Sequence, residues 1–264
     1  MITIREYKKV QSLEEAYELN QKKSNRIIGG MIWLKMETLN VGTAIDLSGL
    51  GLDAVEETET EFRIGAMTTL RTLETHEGLA AYTNGAMRES VRHIVGVQLR
   101  NLATLGGSLY SRFGFSDVLT MFLALDASVE LYKGGIVPLS EYAERKKDRD
   151  VLVRVIVPKK TGARFDYRSV RPTKTDLPTL TCASVREGDG CRFVIGSRPA
   201  RAMIFAPEVR RSRWPNRYSA RRCSARICAA ARRIAESSSA RLSAARRKHS
   251  KTRRNKEERL CLSR

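Results

Sequence analysis

Two pairs of adjacent glycines lie in segments whose composition suits a phosphate-bearing ligand. The first segment reads Ile28-Gly29-Gly30-Met31-Ile32-Trp33, and the second contains Thr104, Gly106, Gly107 and Ser108. Adjacent glycines permit positive φ and a close approach of the backbone, and consecutive N–H groups form concave anion sites suited to a pyrophosphate. The hydroxyls of Thr104 and Ser108 add candidate donors. A Gly-Gly pair alone is also typical of an ordinary turn, so the two segments carry weight only together.

Other catalytic chemistry finds little support in the residue types. The sequence contains no recognisable acid–base dyad or nucleophile–histidine pair, and its histidines are His76, His93 and His249. The five cysteines form no CxxC pair and lack the spacing of zinc or iron–sulfur ligands. We therefore expect reduced thiols, no metal site and no covalent hydrolytic chemistry. No apolar run is long enough to cross a bilayer, and the N-terminal residues lack a signal-peptide pattern, so we expect a cytoplasmic protein.

The large positive charge is confined to the C-terminal part of the sequence. The formal net charge is +19, of which residues 209–264 carry +16 and residues 1–208 carry +3. Arg, Ala and Ser make up 34 of the 55 residues over 210–264, without a persistent apolar stripe. Three interpretations of this tail remain open: a disordered segment, a nucleic-acid-binding arm and a frame-shifted translation, which the abrupt change of composition favours.

The elements that position the glycine segments follow from periodicity and capping signals. Ser12 predicts a helix N-cap, and an apolar run predicts a strand that ends at Gly29. The stretch 117–126 is apolar on every side and predicts a buried helix. We predict helices over 13–20, 68–74, 79–95 and 117–126, and strands over 27–28, 43–47, 61–66, 127–132, 151–157 and 180–185. The absence of a regular βαβ repeat indicates an α+β fold.

In order and spacing, these motifs resemble a known family. The chain resembles the FAD-binding domain of molybdenum hydroxylases, which include xanthine dehydrogenases, aldehyde oxidases and the medium subunit of carbon monoxide dehydrogenase. The family's Ala-Gly-Gly-Thr-Asp-Leu loop corresponds to residues 28–34. Its Gln-Ile-Arg-Asn-x-Ala-Thr-Ile-Gly-Gly-Asn signature corresponds to residues 98–108. Further matches cover 45–47, 64–70, 116–127, 150–158, 165–183 and 198–202. The resemblance covers residues 3–203.

The resemblance implies roles for individual residues. Residues 28–33 and 104–108 would wrap the FAD pyrophosphate. Asp117 would contact the cofactor, unless it only begins a helix beside Ser116. Leu152 or Val153 would pack near the isoalloxazine and Ile94 near the adenine, although each is equally compatible with ordinary core packing. Arg168 and Lys174 would offer positive charge to the flavin or to NAD, or lie solvated at the surface.

The resemblance also implies an architecture and a function. It implies a two-subdomain FAD-binding fold over 1–158, divided near 1–55 and 56–158, then a partial C-terminal flavoprotein domain over 159–208 and the tail over 209–264. A partner subunit would hold molybdopterin and oxidise a substrate, with a purine such as xanthine the leading class. A second partner would hold a 2Fe–2S centre that passes electrons to FAD in this chain, and NAD or another acceptor would receive them.

The sequence departs from the family at three places. Met31-Ile32 replaces Thr-Asp after the first glycine pair, and Tyr110-Ser111-Arg112-Phe113-Gly114 replaces Cys-Asn-x-Ser-Pro after the second. An aromatic side chain at Tyr110 or Phe113 would stack on the flavin or pack in the core. The family's C-terminal module is not recognisable in the tail. Two alternatives therefore remain: a flavin-free structural subunit, and a basic nucleic-acid-binding protein that acts through its tail.

Overall fold

The computed structural model describes residues 1–188, 190–197 and 202–205, so the predictions made for Arg198–Arg201 and for 209–264 lie outside the described residues. Within the described part, three sheets and eight α-helices form a mixed fold. The α+β prediction is confirmed. No helix of the described residues is long and apolar enough to span a membrane.

The first sheet is parallel and lies at the N-terminal end of the chain. It contains β1 (Thr3–Lys9), β2 (Arg26–Ile28) and β3 (Asn40–Asp46) in the order β1-β3-β2. Helix α1 (Leu13–Gln21) connects β1 to β2, and the hydroxyl of its N-cap Ser12 accepts a hydrogen bond from the Glu15 N–H at 3.1 Å. The capping prediction is confirmed. Strand β2 therefore ends at the first glycine pair with its direction set by pairing to β3.

The second sheet has five antiparallel strands in the order β4-β5-β8-β6-β7. Its strands are β4 (Val55–Glu57), β5 (Glu61–Gly65), β6 (Ser128–Leu131), β7 (Gly135–Pro138) and β8 (Leu152–Pro158). Between β5 and β6 the chain forms α2 (Leu70–Thr75), α3 (Glu77–Tyr82), α4 (Ala86–Val91), α5 (Val97–Leu102), α6 (Leu105–Tyr110) and α7 (Asp117–Ala124). Helix α8 (Leu139–Glu144) follows β7. All eight residues of α7 are buried, which confirms the predicted buried helix.

The third sheet is antiparallel and packs on the same core as the second. Its order is β12-β11-β10-β9, formed by β9 (Arg164–Val170), β10 (Leu180–Glu187), β11 (Gly190–Gly196) and β12 (Met203–Phe205). Phe165, Tyr167 and Val194 of this sheet join the buried cluster that the second sheet and α2–α7 form. A smaller cluster, which includes Val10, Ile45 and Val153, lies against the first sheet. The domain boundaries proposed from the sequence stay a prediction.

The single helix predicted over 79–95 is wrong, because the chain forms two helices there. Helix α3 ends at Tyr82 and α4 begins at Ala86, and between them Asn84 (φ 54°) and Gly85 (φ 81°) are left-handed. The Thr83 hydroxyl donates to the Leu79 carbonyl at 2.6 Å and accepts from the Met87 N–H at 3.1 Å. The Thr83 N–H still donates to the Leu79 carbonyl at 3.0 Å, and the Thr83 hydroxyl replaces a backbone acceptor for the Met87 N–H, so the break costs little hydrogen bonding.

Candidate cofactor-binding site

The first glycine segment presents a row of backbone donors that the described residues leave free. Gly29 to Trp33 follow β2 directly, and none of their five N–H groups donates a hydrogen bond within the part of the chain that the structure describes. On the acceptor side, the Met31 and Trp33 carbonyls accept from the N–H groups of Lys35 and Met36. The loop residues 29–32 are half-buried. Consecutive N–H groups without a protein partner suit an anion with several oxygens.

The two glycine segments, distant in the chain, are in direct contact in the structure. A Cβ built on Gly30 would lie 1.8 Å from the Leu102 carbonyl oxygen, and one built on Gly29 would lie 2.6 Å from the Thr104 hydroxyl oxygen. A side chain at position 30 would require the backbone to move, whereas one at position 29 would require the Thr104 side chain to move. The absence of a Cβ at Gly30 therefore sets the distance between the loop after β2 and the end of α5.

The second segment contributes packing more than free N–H groups. Gly106 and Gly107 lie within α6, and the N–H groups of Leu105 and Gly106 donate to the carbonyls of Thr68 and Ala66, each at 2.8 Å. The Ser108 hydroxyl donates to the Thr104 carbonyl at 2.8 Å. The Thr104 hydroxyl oxygen accepts from the Gly107 N–H at 3.2 Å and lies against Gly29. Of the two hydroxyls expected to act as donors, only that of Thr104 keeps its proton uncommitted among the described residues.

An ion pair beneath the second segment holds α5 against α2. Arg100 donates from Nε to one Glu74 oxygen at 2.8 Å and from Nη2 to the other at 3.3 Å, and from Nη1 to the Ile94 carbonyl at 3.1 Å. Arg71 donates to the same carboxylate at 2.9 Å. Burial opposes ionisation of Glu74, but these bonds outweigh it and lower the pKa of Glu74 below its ordinary value of 4.5. The Leu102 carbonyl that Gly30 contacts follows Arg100 in the same helix.

Asp117 is the first residue of α7 and is engaged inside the protein. Ser116 caps the helix by accepting from the Leu119 N–H, while the Asp117 carboxylate accepts from the Tyr167 hydroxyl at 2.6 Å and from the Arg171 guanidinium. Burial raises the pKa of Asp117, against the opposing effect of Arg171. Burial, then the Asp117 charge, raise the pKa of the Tyr167 hydroxyl well above its ordinary value.

The sequence analysis did not predict the partners of Asp117. It proposed Arg168 and Lys174 as the positively charged residues of the site instead. Arg168 forms an ion pair with Asp166 at 3.0 Å and is substantially exposed, and Lys174 is exposed. Arg171 lies between them in the chain, and its guanidinium is the one that is buried. No sequence signal distinguishes Arg171, since its partner lies on another element.

The remaining predicted contacts lie in or beside the core. Leu152 begins β8 and is buried in the main cluster, while Val153 is buried in the cluster against the first sheet. Ile94 is half-buried and packs against the main cluster. Phe113 does not stand alone but contacts Trp33, with ring centroids 5.1 Å apart. Tyr110 is 39% exposed and donates its hydroxyl to the Asp148 carbonyl at 3.3 Å.

Comparisons with known proteins identify the family. A family model described as the FAD binding domain in molybdopterin dehydrogenase matches residues 3–160. The uncharacterized protein YgfM of Escherichia coli strain K12 is 27% identical over 207 residues, which cover 76% of this chain and 77% of that protein. The family model spans both glycine segments and Asp117.

Solved structures show the same fold. Carbon monoxide dehydrogenase from Hydrogenophaga pseudoflava aligns with a TM-score of 0.70 at 22% identity over 77% of this chain and 78% of that chain. Quinoline 2-oxidoreductase from Pseudomonas putida 86 aligns with a TM-score of 0.68 at 21% identity over 75% of this chain and 76% of that chain. Because the family model spans more than half of its length, the chain belongs to the family of FAD-binding domains found in molybdopterin dehydrogenases.

Proposed function

We propose that the chain binds FAD with the cofactor pyrophosphate against the loop 29–33, and that it passes electrons from a partner's 2Fe–2S centre through the flavin to NAD or another acceptor. The observation that carries this proposal is the row of five unpaired N–H groups in a half-buried loop. A pyrophosphate supplies several acceptor oxygens and negative charge, which such a row of donors favours.

The residues present fit the cofactor despite the replacement of Thr-Asp by Met31-Ile32. The donors in the loop belong to the backbone, so the loss of a hydroxyl and a carboxylate removes none of them. The loss of a carboxylate beside a pyrophosphate also removes a like-charge repulsion. Ile32 instead packs against the main core, which ties the middle of the loop to the protein.

Other residues of the chain would complete the site around the loop. Thr104 lies against Gly29 with an uncommitted hydroxyl proton, while Gly106, Gly107 and Ser108 form the first turns of α6 beside it. The Asp117 carboxylate, held by Tyr167 and Arg171, would accept from a hydroxyl of the cofactor. Leu152 would provide an apolar contact at the start of β8.

The proposal divides the chemistry between this chain and its partner subunits. A bound flavin accepts electrons and delivers them as a pair to the acceptor, while the protein binds and orients it. Within the described residues, no group of three or more His, Cys, Asp or Glu side chains is placed to hold a metal ion. The proposal includes a molybdopterin subunit and a 2Fe–2S subunit as partners, in a complex of the xanthine dehydrogenase type. The pocket for the oxidised substrate would lie in the molybdopterin subunit.

A flavin-free structural subunit is the second candidate function. The replacement of both polar side chains by Met31-Ile32 favours it, because it removes two of the hydrogen-bonding groups that the family's loop carries. The two candidates predict different outcomes when the protein is produced with excess FAD.

The test is the flavin content of the purified full-length chain. The protein is expressed with riboflavin supplementation, purified and examined for flavin absorbance, and the cofactor is released by heat and identified by chromatography. About one FAD per chain supports the proposal. A folded, colourless protein that binds no added FAD in titration contradicts it and supports the structural subunit. Co-expression with the partner subunits, followed by reduction of the flavin by substrate and reoxidation by NAD, tests the electron route.

A further inference from the structure

Three aromatic rings connect the loop 29–33 to the chain segment between α6 and α7. Trp33 contacts Phe113 at a centroid distance of 5.1 Å and Phe115 at 5.8 Å, with interplanar angles of 64° and 57°. Phe113 and Phe115 stack at 5.0 Å with an angle of 10°. We call Trp33, Phe113 and Phe115 the aromatic cluster. Edge-to-face and offset-stacked arrangements are the favourable geometries for such rings.

The segment that carries the two phenylalanines is itself fixed on its other side. The Gly114 carbonyl accepts from the Ser197 N–H at 2.6 Å. Ser116 caps α7 immediately after Phe115. The aromatic cluster therefore ties the loop to an anchored segment rather than to a free one.

The loop needs such an anchor because few of its backbone groups form hydrogen bonds within the described residues. Met31 has φ 54°, a left-handed conformation that is uncommon for a residue other than Gly, Asn or Asp. None of the N–H groups from Gly29 to Trp33 donates a hydrogen bond within the described chain. Side-chain packing therefore supplies order in addition to the bonds that the Met31 and Trp33 carbonyls accept. Ile32 contributes from the middle of the loop, and Trp33 contributes from its end.

We propose that Trp33 is a positioning residue for the cofactor, and that the aromatic cluster keeps the loop 29–33 in its phosphate-binding conformation before the cofactor arrives. The inference rests on the proposed function for its ligand. A preformed loop lowers the entropic cost of binding, and in this chain the aromatic contacts take the place of the polar side chains that Met31-Ile32 lack. Phe113 and Phe115 act through Trp33, so they pack with one another rather than stack on the flavin.

The test compares Trp33→Ala and Trp33→Phe with the control Tyr17→Ala in the full-length protein. Tyr17 is a half-buried aromatic that pairs with Tyr132 at 5.7 Å, outside the loop. The control therefore loses a similar ring contact. Two measurements are made: the FAD dissociation constant by flavin fluorescence, and the rate of trypsin cleavage after Lys35 in protein freed of flavin, followed by mass spectrometry.

The aromatic cluster predicts a specific pattern. Trp33→Ala weakens FAD binding and accelerates cleavage after Lys35, each about tenfold, because two ring contacts are lost. Trp33→Phe recovers most of both effects, and Tyr17→Ala shows neither. Phe113→Ala shows a smaller effect in the same direction, because the contact between Trp33 and Phe115 remains, and the double variant is no worse than Trp33→Ala.

Two results would overturn the inference. Equal cleavage rates in Trp33→Ala and the wild type would show that the loop does not depend on the ring, whether or not the protein binds FAD. If the wild type binds FAD and Trp33→Ala binds it equally tightly, Trp33 does not position the cofactor. That result would leave the proposed function intact. A wild type that binds no FAD contradicts the proposed function instead, while the cleavage rates still decide the structural half of the inference.

Discussion

Replacement of Gly30 by alanine is expected to separate the two glycine segments. The new Cβ would lie 1.8 Å from the Leu102 carbonyl oxygen, 2.4 Å from its carbon and 2.9 Å from the Ala103 nitrogen. Ordinary contact between a carbon and an oxygen needs about 3.4 Å, so the loop must move away from α5 by roughly 1.5 Å. All three contacted atoms belong to the backbone, and α5 is held by the Glu74–Arg100 ion pair, so the loop rather than the helix is expected to shift.

The expected cost falls on both stability and cofactor affinity. Overpacking against a fixed backbone costs about 1–3 kcal/mol of unfolding free energy. A loop displaced by more than 1 Å cannot keep all its N–H groups on one ligand, and the loss of one hydrogen bond to the charged pyrophosphate, at about 2 kcal/mol, weakens FAD binding by about thirtyfold.

A matched glycine provides the control for this experiment. Gly96 has φ −128°, which alanine adopts freely, and a Cβ there would meet only the flexible Gln98 amide at 3.2 Å. FAD affinity is measured by fluorescence titration, and unfolding free energy by urea denaturation, for Gly30→Ala and Gly96→Ala side by side. If Gly30→Ala binds FAD as tightly as Gly96→Ala does, the two segments do not form one site and the reasoning from their contact fails.

Three further predictions concern charged groups. The pKa of Glu74 is lowered in the fold, so the stabilisation from its charge is present above pH 4.5 and is lost as pH falls through the folded-state pKa. Glu74→Gln is therefore expected to reduce the fall in unfolding free energy between pH 6 and pH 3, measured by urea denaturation. The same fall in the variant and the wild type would count against the Arg100 pair. Asp117→Asn leaves the buried Arg171 guanidinium without its counter-charge and costs about 3 kcal/mol of unfolding free energy; a loss below about 1 kcal/mol would mean that the ion pair is dispensable. Removal of 209–264 lowers the formal charge from +19 to +3 and is expected to abolish salt-dependent retention on heparin while FAD binding persists; loss of FAD binding would assign the tail a part in the site.

The fold was predictable wherever burial imposes a period on the sequence. Helix α7 is apolar on every side and fully buried, and β5 alternates as a strand with one face inside. Strand β1 escaped prediction because every one of its residues is exposed, so no burial pattern marks it. The break between α3 and α4 was signalled by Asn84-Gly85, a pair that favours left-handed turns, but the apolar periodicity on either side concealed it.

The site was predictable in its segments but not in its hydrogen bonds. Both glycine pairs were identified, yet nothing local shows that the N–H groups of Leu105 and Gly106 are taken by Thr68 and Ala66. The same holds for Asp117, whose partners Tyr167 and Arg171 lie on or after a strand far along the chain. Such pairings arise from tertiary packing, and the residues of a local motif do not determine which distant atoms form hydrogen bonds with it.

The loss of Thr-Asp after the first glycine pair acquires a different meaning once the loop is seen in three dimensions. Side chains at Met31 and Ile32 do not form the row of donors, which belongs to the backbone from Gly29 to Trp33. Under the proposed binding mode, the pyrophosphate contacts that backbone, so its path determines the geometry of the donors. The path depends on the missing Cβ at Gly30, on the left-handed turn at Met31 and on the ring contacts of Trp33. A loop can therefore change its polar side chains for apolar ones and keep its donors, provided that apolar packing holds the same path.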